Sequence, residues 1–356
     1  MVGIEDTPST PAGGISAELV LGPAGTAACN ASSYSSLPVN IKNKIILLER
    51  GRCDDIGGSY GSKILIAAQA GAAAVIFYNS SPAEVLAAGL AVPGEGYVPA
   101  GVISQAEGQA LVERLRSGEV IRVRFAQKQV QEVRMSENVF AEVTGGDSDS
   151  DRGSGSGSGS VVMLGAHLDS VQSSAGINDD GSGVSLILEV FKAAARYRTK
   201  NTLRFAWWGA EENMGVGSQF YCQNLTGFPG EADRILAYLN FDMVAKGTYY
   251  VGDGDGSDSD GLGGAPGSEV IERIWLDYFK QIGVPTEAGP LSGGSDYEHF
   301  MNILEKPVGI LFTGAGAPDD ACYHTPCDNI TNIDIEMLTI NTRVSALGRQ
   351  CFRYAC

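Results

Sequence analysis

The stretch VVMLGAHLDSV, residues 161–171, decides the reading of this chain. Residues 161–166 form an apolar run of strand length. His167 follows that run directly, and Asp169 lies two residues beyond it. Further strand runs occupy 203–207, 235–241 and 308–312. Helical segments fall between and after them at 183–198, 217–224, 268–282 and 335–352. This alternation predicts an α/β fold with a mostly parallel, mixed sheet covered by helices on both faces. Ligands of such sheets bind beyond the carboxyl ends of the strands. His167, Glu212 and Asp242 come just after strand runs, in agreement with that rule.

Five metal-type residues are strung along this half of the chain. They are His167 in GAHLDSV, Asp179 in GINDDGSG, Glu212 in WWGAEEN, Asp242 in YLNFDM and His324 in CYHTPCD. The chain has only 3 histidines, and two of them fall in this set. Imidazole nitrogens and carboxylate oxygens suit zinc, and no cysteines stand at zinc-finger spacing. One catalytic zinc takes three protein ligands and keeps a position open, so five ligands fit two ions that share a carboxylate. Paired ions of this kind lie roughly 3.5–4 Å apart.

Neighbouring residues suggest supporting roles. In extended chain, Asp169 faces the same way as His167, so its carboxylate can hydrogen-bond the imidazole and fix its tautomer; a cap or turn is the other reading. Asp179 and Asp180 precede a helix, where one of them caps the free N–H groups. We assign the cap to Asp180 and metal bridging to Asp179, an order the residues alone do not decide. Glu211 and Glu212 are adjacent at a strand end, and extended neighbours point to opposite sides. One can ligate while the other takes a proton from a zinc-acidified water. Tyr323, beside His324, is either a hydrogen-bond donor to an oxyanion or a packed aromatic.

Composition narrows the class. The chain has 356 residues, 44% of them hydrophobic, enough for two domains with sizeable cores. No run is long enough to span a membrane. A formal net charge of -17 argues against nucleic acid or an anionic membrane as partner. Among 7 cysteines, Cys29 and Cys53 form a plausible pair, and so do Cys322 and Cys327 around His324. The odd count leaves at least one thiol over. Sequons at Asn30, Asn79, Asn224 and Asn329 join the cysteines in favouring a secreted or vacuolar protein. The opening segment MVGIEDTPSTPAGG lacks the apolar core of a signal peptide, which suggests a lost leader or an incomplete amino end.

Residues 15–129 read as a separate α/β unit, with strands at 44–48, 74–78, 98–104 and 120–125 and helices at 62–69 and 105–116. No titratable cluster stands out there, so a covering or binding module is expected. Between 145 and 160 a tract of Gly, Ser and Asp, including GSGSGSGS, reads as a flexible loop.

Taken in order, GAHLDSV, GINDDGSG, WWGAEE, LNFDM and YHTPCD resemble the ligand motifs of the M28 family of zinc peptidases, in particular its secreted and vacuolar aminopeptidases. The resemblance runs from about residue 138 to the end. KIILLERGRC, AAQAGAAAVIFYN and VPAGVIS resemble the protease-associated domain inserted in many of these enzymes. The resemblance implies a smaller protease-associated domain over 15–132 and a phosphorylase/hydrolase-like catalytic domain over 133–356. It also implies two Zn2+ ions, with His167 and Asp242 on one, Glu212 and His324 on the other and Asp179 bridging. Glu211 would be the general base and acid, Tyr323 would assist the oxyanion, and Cys322–Cys327 would be a disulfide. The implied reaction removes amino-terminal residues from peptides, the free α-amine being received by carboxylates near the metals. A single chain is the expected unit and secretion the expected destination, with the vacuole as alternative.

Two departures from the family pattern stand out. Members place helices and a strand of the catalytic domain before the insertion, whereas this chain starts almost at the insertion; part of the catalytic core is therefore expected to be absent. Close aminopeptidases often carry Arg before a Ser-Asp pair, where SGGSDYEHF has Gly294, so recognition around 295–300 is expected to differ. A carboxypeptidase or dipeptidase on the same scaffold is the second reading. A truncated, inactive chain that binds peptides through its first domain is the third.

Overall fold

The computed structural model describes all residues except 52, 54–59, 83–87, 91–93, 131, 146–158, 260 and 347–356. Two compact units divide the chain, Met1–Arg134 and Met135–Cys356.

The first unit contains β1 (Val2–Gly3), β2 (Ile15–Leu21), α1 (Ala31–Ser35), β3 (Ile45–Glu49), α2 (Gly61–Gln69), β4 (Ala74–Tyr78), β5 (Ala100–Ile103), α3 (Gln105–Arg116) and β6 (Ile121–Phe125). The sheet order is β1-β5-β4-β3-β2-β6, parallel through β2 to β5. The apolar runs IILLE and AVIFY form its centre because each residue on either face meets other side chains. Ile46, Leu48, Val75 and Phe77 join one core cluster, and Ile45, Leu47, Ala74 and Ile76 the other. Ser104 and Glu107 form a reciprocal capping box that starts α3. Cys29 and Cys53 are joined, their Cα atoms 5.7 Å apart.

The second unit contains β7 (Val139–Val143), β8 (Val161–His167), α4 (Gly181–Ala194), β9 (Thr202–Trp208), α5 (Val216–Thr226), α6 (Pro229–Arg234), β10 (Ile235–Phe241), β11 (Tyr250–Gly252), α7 (Ser268–Ile282), β12 (Glu287–Gly289), α8 (Tyr297–Asn302), β13 (Val308–Phe312) and α9 (Ile335–Ala346). Its sheet runs β12-β11-β13-β10-β8-β9-β7. The four central strands are parallel; β7 and β11 pair antiparallel with β9 and β13, and β12 lies parallel to β11. Every residue of β8 is buried. Val162, Leu164 and Ala166 enter one core with α4 and α7 residues, while Val161 and Met163 enter another with Cys222, Tyr238 and Phe300. Two-sided burial is why the run in VVMLGAH is continuous rather than alternating.

The sequence reading missed strands β1, β2, β7, β11 and β12 and helices α1, α6 and α8. Two of these are three-residue strands ending in glycine, too short to show a period. Helix α4 starts two residues earlier than expected and ends four earlier. Residues 347–352 of the expected last helix, and 146–158 of the glycine-serine tract, lie outside the described residues. Among the described residues no helix is long and apolar enough to cross a membrane.

Candidate metal centre

Parallel pairing puts the carboxyl ends of β8, β9 and β10 side by side. His167 is the last residue of β8 and is 1% exposed. Asp242 follows β10, and Glu211 and Glu212 lie in the turn after β9. Asp179 sits in the loop before α4, and His324 in the segment between β13 and α9. Chain topology thus gathers all five candidate ligands at one end of the sheet.

Their donor atoms form two groups. His167, Asp179 and Asp242 offer atoms within 4.8 Å of one another, and so do Asp179, Glu212 and His324. Asp179 belongs to both. Its Oδ1 is 3.1 Å from Nε2 of His167, and its Oδ2 is 3.1 Å from Nε2 of His324. Nε2 of His167 is also 3.5 Å from Asp242 Oδ1, and Nε2 of His324 is 3.1 Å from Glu212 Oε2.

A hydrogen bond orients the His167 imidazole. Nδ1 of His167 lies 3.1 Å from the carbonyl oxygen of Asp169. A carbonyl only accepts, so Nδ1 carries a hydrogen and Nε2 is the atom that faces the carboxylates. Among the described residues, Nε2 of His324 is a buried nitrogen without a hydrogen-bond partner, although two carboxylate oxygens stand 3.1 Å away. Imidazole nitrogens this close to carboxylate oxygens need positive charge between them, a proton or a metal ion. The donor set, two imidazoles and three carboxylates in two groups with one member shared, fits a pair of divalent ions of zinc type.

The charge balance agrees. Burial alone would lower His167, but the carboxylates of Asp242 and Asp179 outweigh it and hold the imidazole well above its ordinary value. Burial opposes the same rise in His324, which Asp179 and Glu212 bring to about 9. Burial and then the charge of Asp242 push Glu211 up to about 10. The site thus holds more negative charge than its own side chains neutralise, which suits a cation.

Asp180 accepts from Gly183 N at 2.9 Å as the cap of α4. The same carboxylate accepts from His167 N and Met243 N, both at 3.1 Å. It therefore ties β8, β10 and α4 together. Asp169 differs from expectation. Its carboxylate stands 3.8 Å from Nδ1, and its carbonyl meets the imidazole instead. The chain leaves the strand after His167, so the same-side rule of extended backbone lapses. The freed carboxylate accepts from Glu211 N at 2.9 Å and Glu212 N at 3.2 Å.

The divergence of Glu211 and Glu212 also needs a corrected reason. They sit in a turn entered through Ala210 at φ 58, not in extended chain. Glu211 Oε2 lies 3.8 Å from His167 Nε2, whereas Glu212 faces His324. Tyr323 stacks on the His324 ring with centroids 3.7 Å apart, and burial raises its phenol. His324 has φ 58 within the loop closed by Cys322–Cys327, and its carbonyl accepts from Ser173 Oγ at 3.0 Å.

One contact to a candidate ligand was not anticipated. Ser295 Oγ donates to Asp242 Oδ2 at 2.6 Å and accepts from Asn240 Nδ2. Nothing local signals this tie, since 53 residues separate its ends. Gly294 has φ 95, a conformation that Arg rarely adopts. Among the sequons, Asn79 is 2% exposed and accepts from Arg50 Nη1 and Ser80 N, so the folded chain hides it. Asn30, Asn224 and Asn329 are exposed or partly exposed. Among the described residues, Cys222 is a free, buried thiol.

Sheet and site define an α/β protein with a candidate metal centre beyond its strand ends. Comparison with known proteins sharpens that class. Residues 138–347 match the model of peptidase family M28, and residues 15–111 match the PA domain. The chain belongs to peptidase family M28. It is 38% identical over 332 residues to a probable leucine aminopeptidase 2 of Aspergillus fumigatus, a match covering 87% of this chain and 62% of that protein. It is 37% identical over 356 residues to leucine aminopeptidase 2 of Trichophyton rubrum, covering 95% and 67%. Among solved structures, an aminopeptidase from an Aneurinibacillus strain superposes with TM-score 0.77 at 27% identity, covering 98% of this chain and 77% of that one. A zinc aminopeptidase from Bacillus subtilis shares the fold at TM-score 0.70 and 24% identity, covering 97% and 77%.

Proposed function

We propose that this chain is an aminopeptidase that binds two zinc ions and removes the amino-terminal residue from peptides. One observation carries the reading: Asp179 stands 3.1 Å from each of two imidazoles, one at the end of β8 and one in the segment between β13 and α9. His167 and Asp242 would hold one ion, Glu212 and His324 the other, with Asp179 bridging. The leucine aminopeptidases among its relatives and the zinc aminopeptidase that shares its fold support the metal and the reaction.

Bound zinc would supply Lewis-acid polarisation of the scissile carbonyl and acidify a water. The remaining work belongs to side chains. Glu211, beside His167 yet outside both donor groups, would take a proton from the attacking water and return it to the leaving amine. Burial strengthens Glu211 as a base, and a bound cation would keep it ionised until it takes the proton. Asp169 holds the Glu211 and Glu212 backbone so that one carboxylate serves as base and the other as ligand. Tyr323, kept protonated by burial, donates to the oxyanion. Carboxylates near the metals would receive the free α-amine of the substrate.

The proposed layout is a protease-associated module over 15–132 and a peptidase domain over 133–356. Two disulfides and the three sequons left accessible favour secretion, with the vacuole as alternative. A panel of aminoacyl amides and amino-blocked peptides, each with and without chelator, tests the reading. Chelator-sensitive release from free amino termini supports it. Release from amino-blocked peptides alone points instead to carboxypeptidase chemistry.

A further inference from the structure

The two loops that carry Asp179 and His324 are far apart in sequence, yet a shared ion requires their separation to be fixed within tenths of an ångström. A buried polar knot lies behind them. Asn178, Asp320 and Asp328 are 0% exposed and Asn332 is 7% exposed. Asp328 Oδ1 accepts from Asn178 N at 2.9 Å, and Oδ2 accepts from Asp179 N at 3.1 Å. One carboxylate therefore grips two consecutive backbone N–H groups, which fixes the orientation of the peptide plane leading into Asp179. Asn332 Nδ2 donates to both Asp328 and Asp320. Asp320 in turn accepts from Asn178 Nδ2 at 2.8 Å and Cys322 N at 2.9 Å. The chain of contacts runs from the loop of Asp179 to the loop of His324.

We propose that Asp328 is a positioning residue: it aims the Asp179 carboxylate at the point between the two imidazoles and so sets the affinity of the centre for zinc. This inference rests on the zinc reading above. Burying a carboxylate is costly unless donors surround it, and here the donors include the backbone of the proposed bridging residue. A mere core-filling role would not need them there. An amide at 328 would turn one N–H acceptor into a donor facing a donor, pushing the peptide plane before Asp179 away.

The test is competition for zinc between the full chain and a chromophoric chelator, run on wild type and Asp328→Asn, with circular dichroism to confirm folding. Folded Asp328→Asn is expected to bind zinc about 10- to 100-fold more weakly, the usual cost of losing a residue that orients a metal ligand. An affinity within twofold of wild type, with stability alone reduced, overturns the proposal. If Asp328→Asn is not recovered folded, Asn332→Ala keeps both carboxylates and releases their shared amide; severalfold weaker zinc binding upholds the proposal and unchanged binding overturns it. The ratio of variant to wild type decides the matter whatever number of ions wild type holds, whereas that number by itself judges the two-zinc reading.

Discussion

Asp179 and Asp180 are adjacent, yet their carboxylates do opposite things. Asp179 lies between two imidazoles at 3.1 Å, while Asp180 is spent on the backbone N–H groups of His167, Gly183 and Met243. Asp180→Ala should therefore destabilise the zinc-free protein by about 3–5 kcal/mol, from one lost helix cap and two buried N–H groups left unpaired. Asp179→Asn should leave more of that stability intact and remove most zinc binding. Urea denaturation in chelator, beside zinc analysis of both variants, checks the contrast; equal stability losses would contradict it.

Glu211→Gln should keep its zinc and its fold while turnover falls roughly 10²–10⁴-fold, the range contributed by a general acid–base group. Steady-state kinetics on a leucine amide, with metal content measured on the same sample, gives the answer. Near-normal turnover would remove Glu211 from its proposed role.

Asp169→Ala frees the backbone N–H groups of Glu211 and Glu212 together. Turnover should fall by about 10- to 100-fold with a smaller change in KM, because the proposed base and one proposed ligand lose their shared anchor. Asp169→Asn keeps one acceptor and should fall between. A variant that changed only KM would place Asp169 in substrate binding instead.

Asp296 provides a pH prediction. It is 1% exposed, and among the described residues neither carboxylate oxygen has a hydrogen-bond partner. Ser218, the hydroxyl beside it, donates to Gly215 O at 3.1 Å. Burial raises Asp296 from 3.8 to about 7. The folded state then binds this proton more tightly than the unfolded state, so stability is lost as pH rises from about 4 to about 7. The loss amounts to about 4 kcal/mol from this group. Asp296→Asn should flatten that part of the profile and make the chelated protein more stable than wild type at pH 8. Parallel profiles for the two proteins would contradict the account.

Much of this architecture was legible because strong local signals agreed with tertiary demands. The runs at 161–166 and 235–241 are buried on both faces, and strands of that kind show their length and their end plainly in sequence. The candidate ligands follow such ends, so motif and topology pointed to one place. What escaped was set by backbone direction or by distant partners. The Asp169 carboxylate was assigned to the imidazole on the assumption that the strand continued, but the chain turns after His167. The Ser295–Asp242 bond joins segments with no shared local pattern. Asp328 was visible in CYHTPCD, yet only the fold reveals that it reaches the backbone of Asp179. Strand β7 is five residues long with no buried position and no alternating sequence pattern, and its partner β9 supplies the order that its own sequence lacks.

The central claim is that Asp179 bridges two zinc ions. Native mass spectrometry of the folded chain, loaded with excess zinc and then freed of loosely bound metal, measures it most directly. The account predicts two zinc ions per wild-type chain and at most one in Asp179→Asn. A wild-type chain that holds a single ion, or a variant that still holds two, would contradict it.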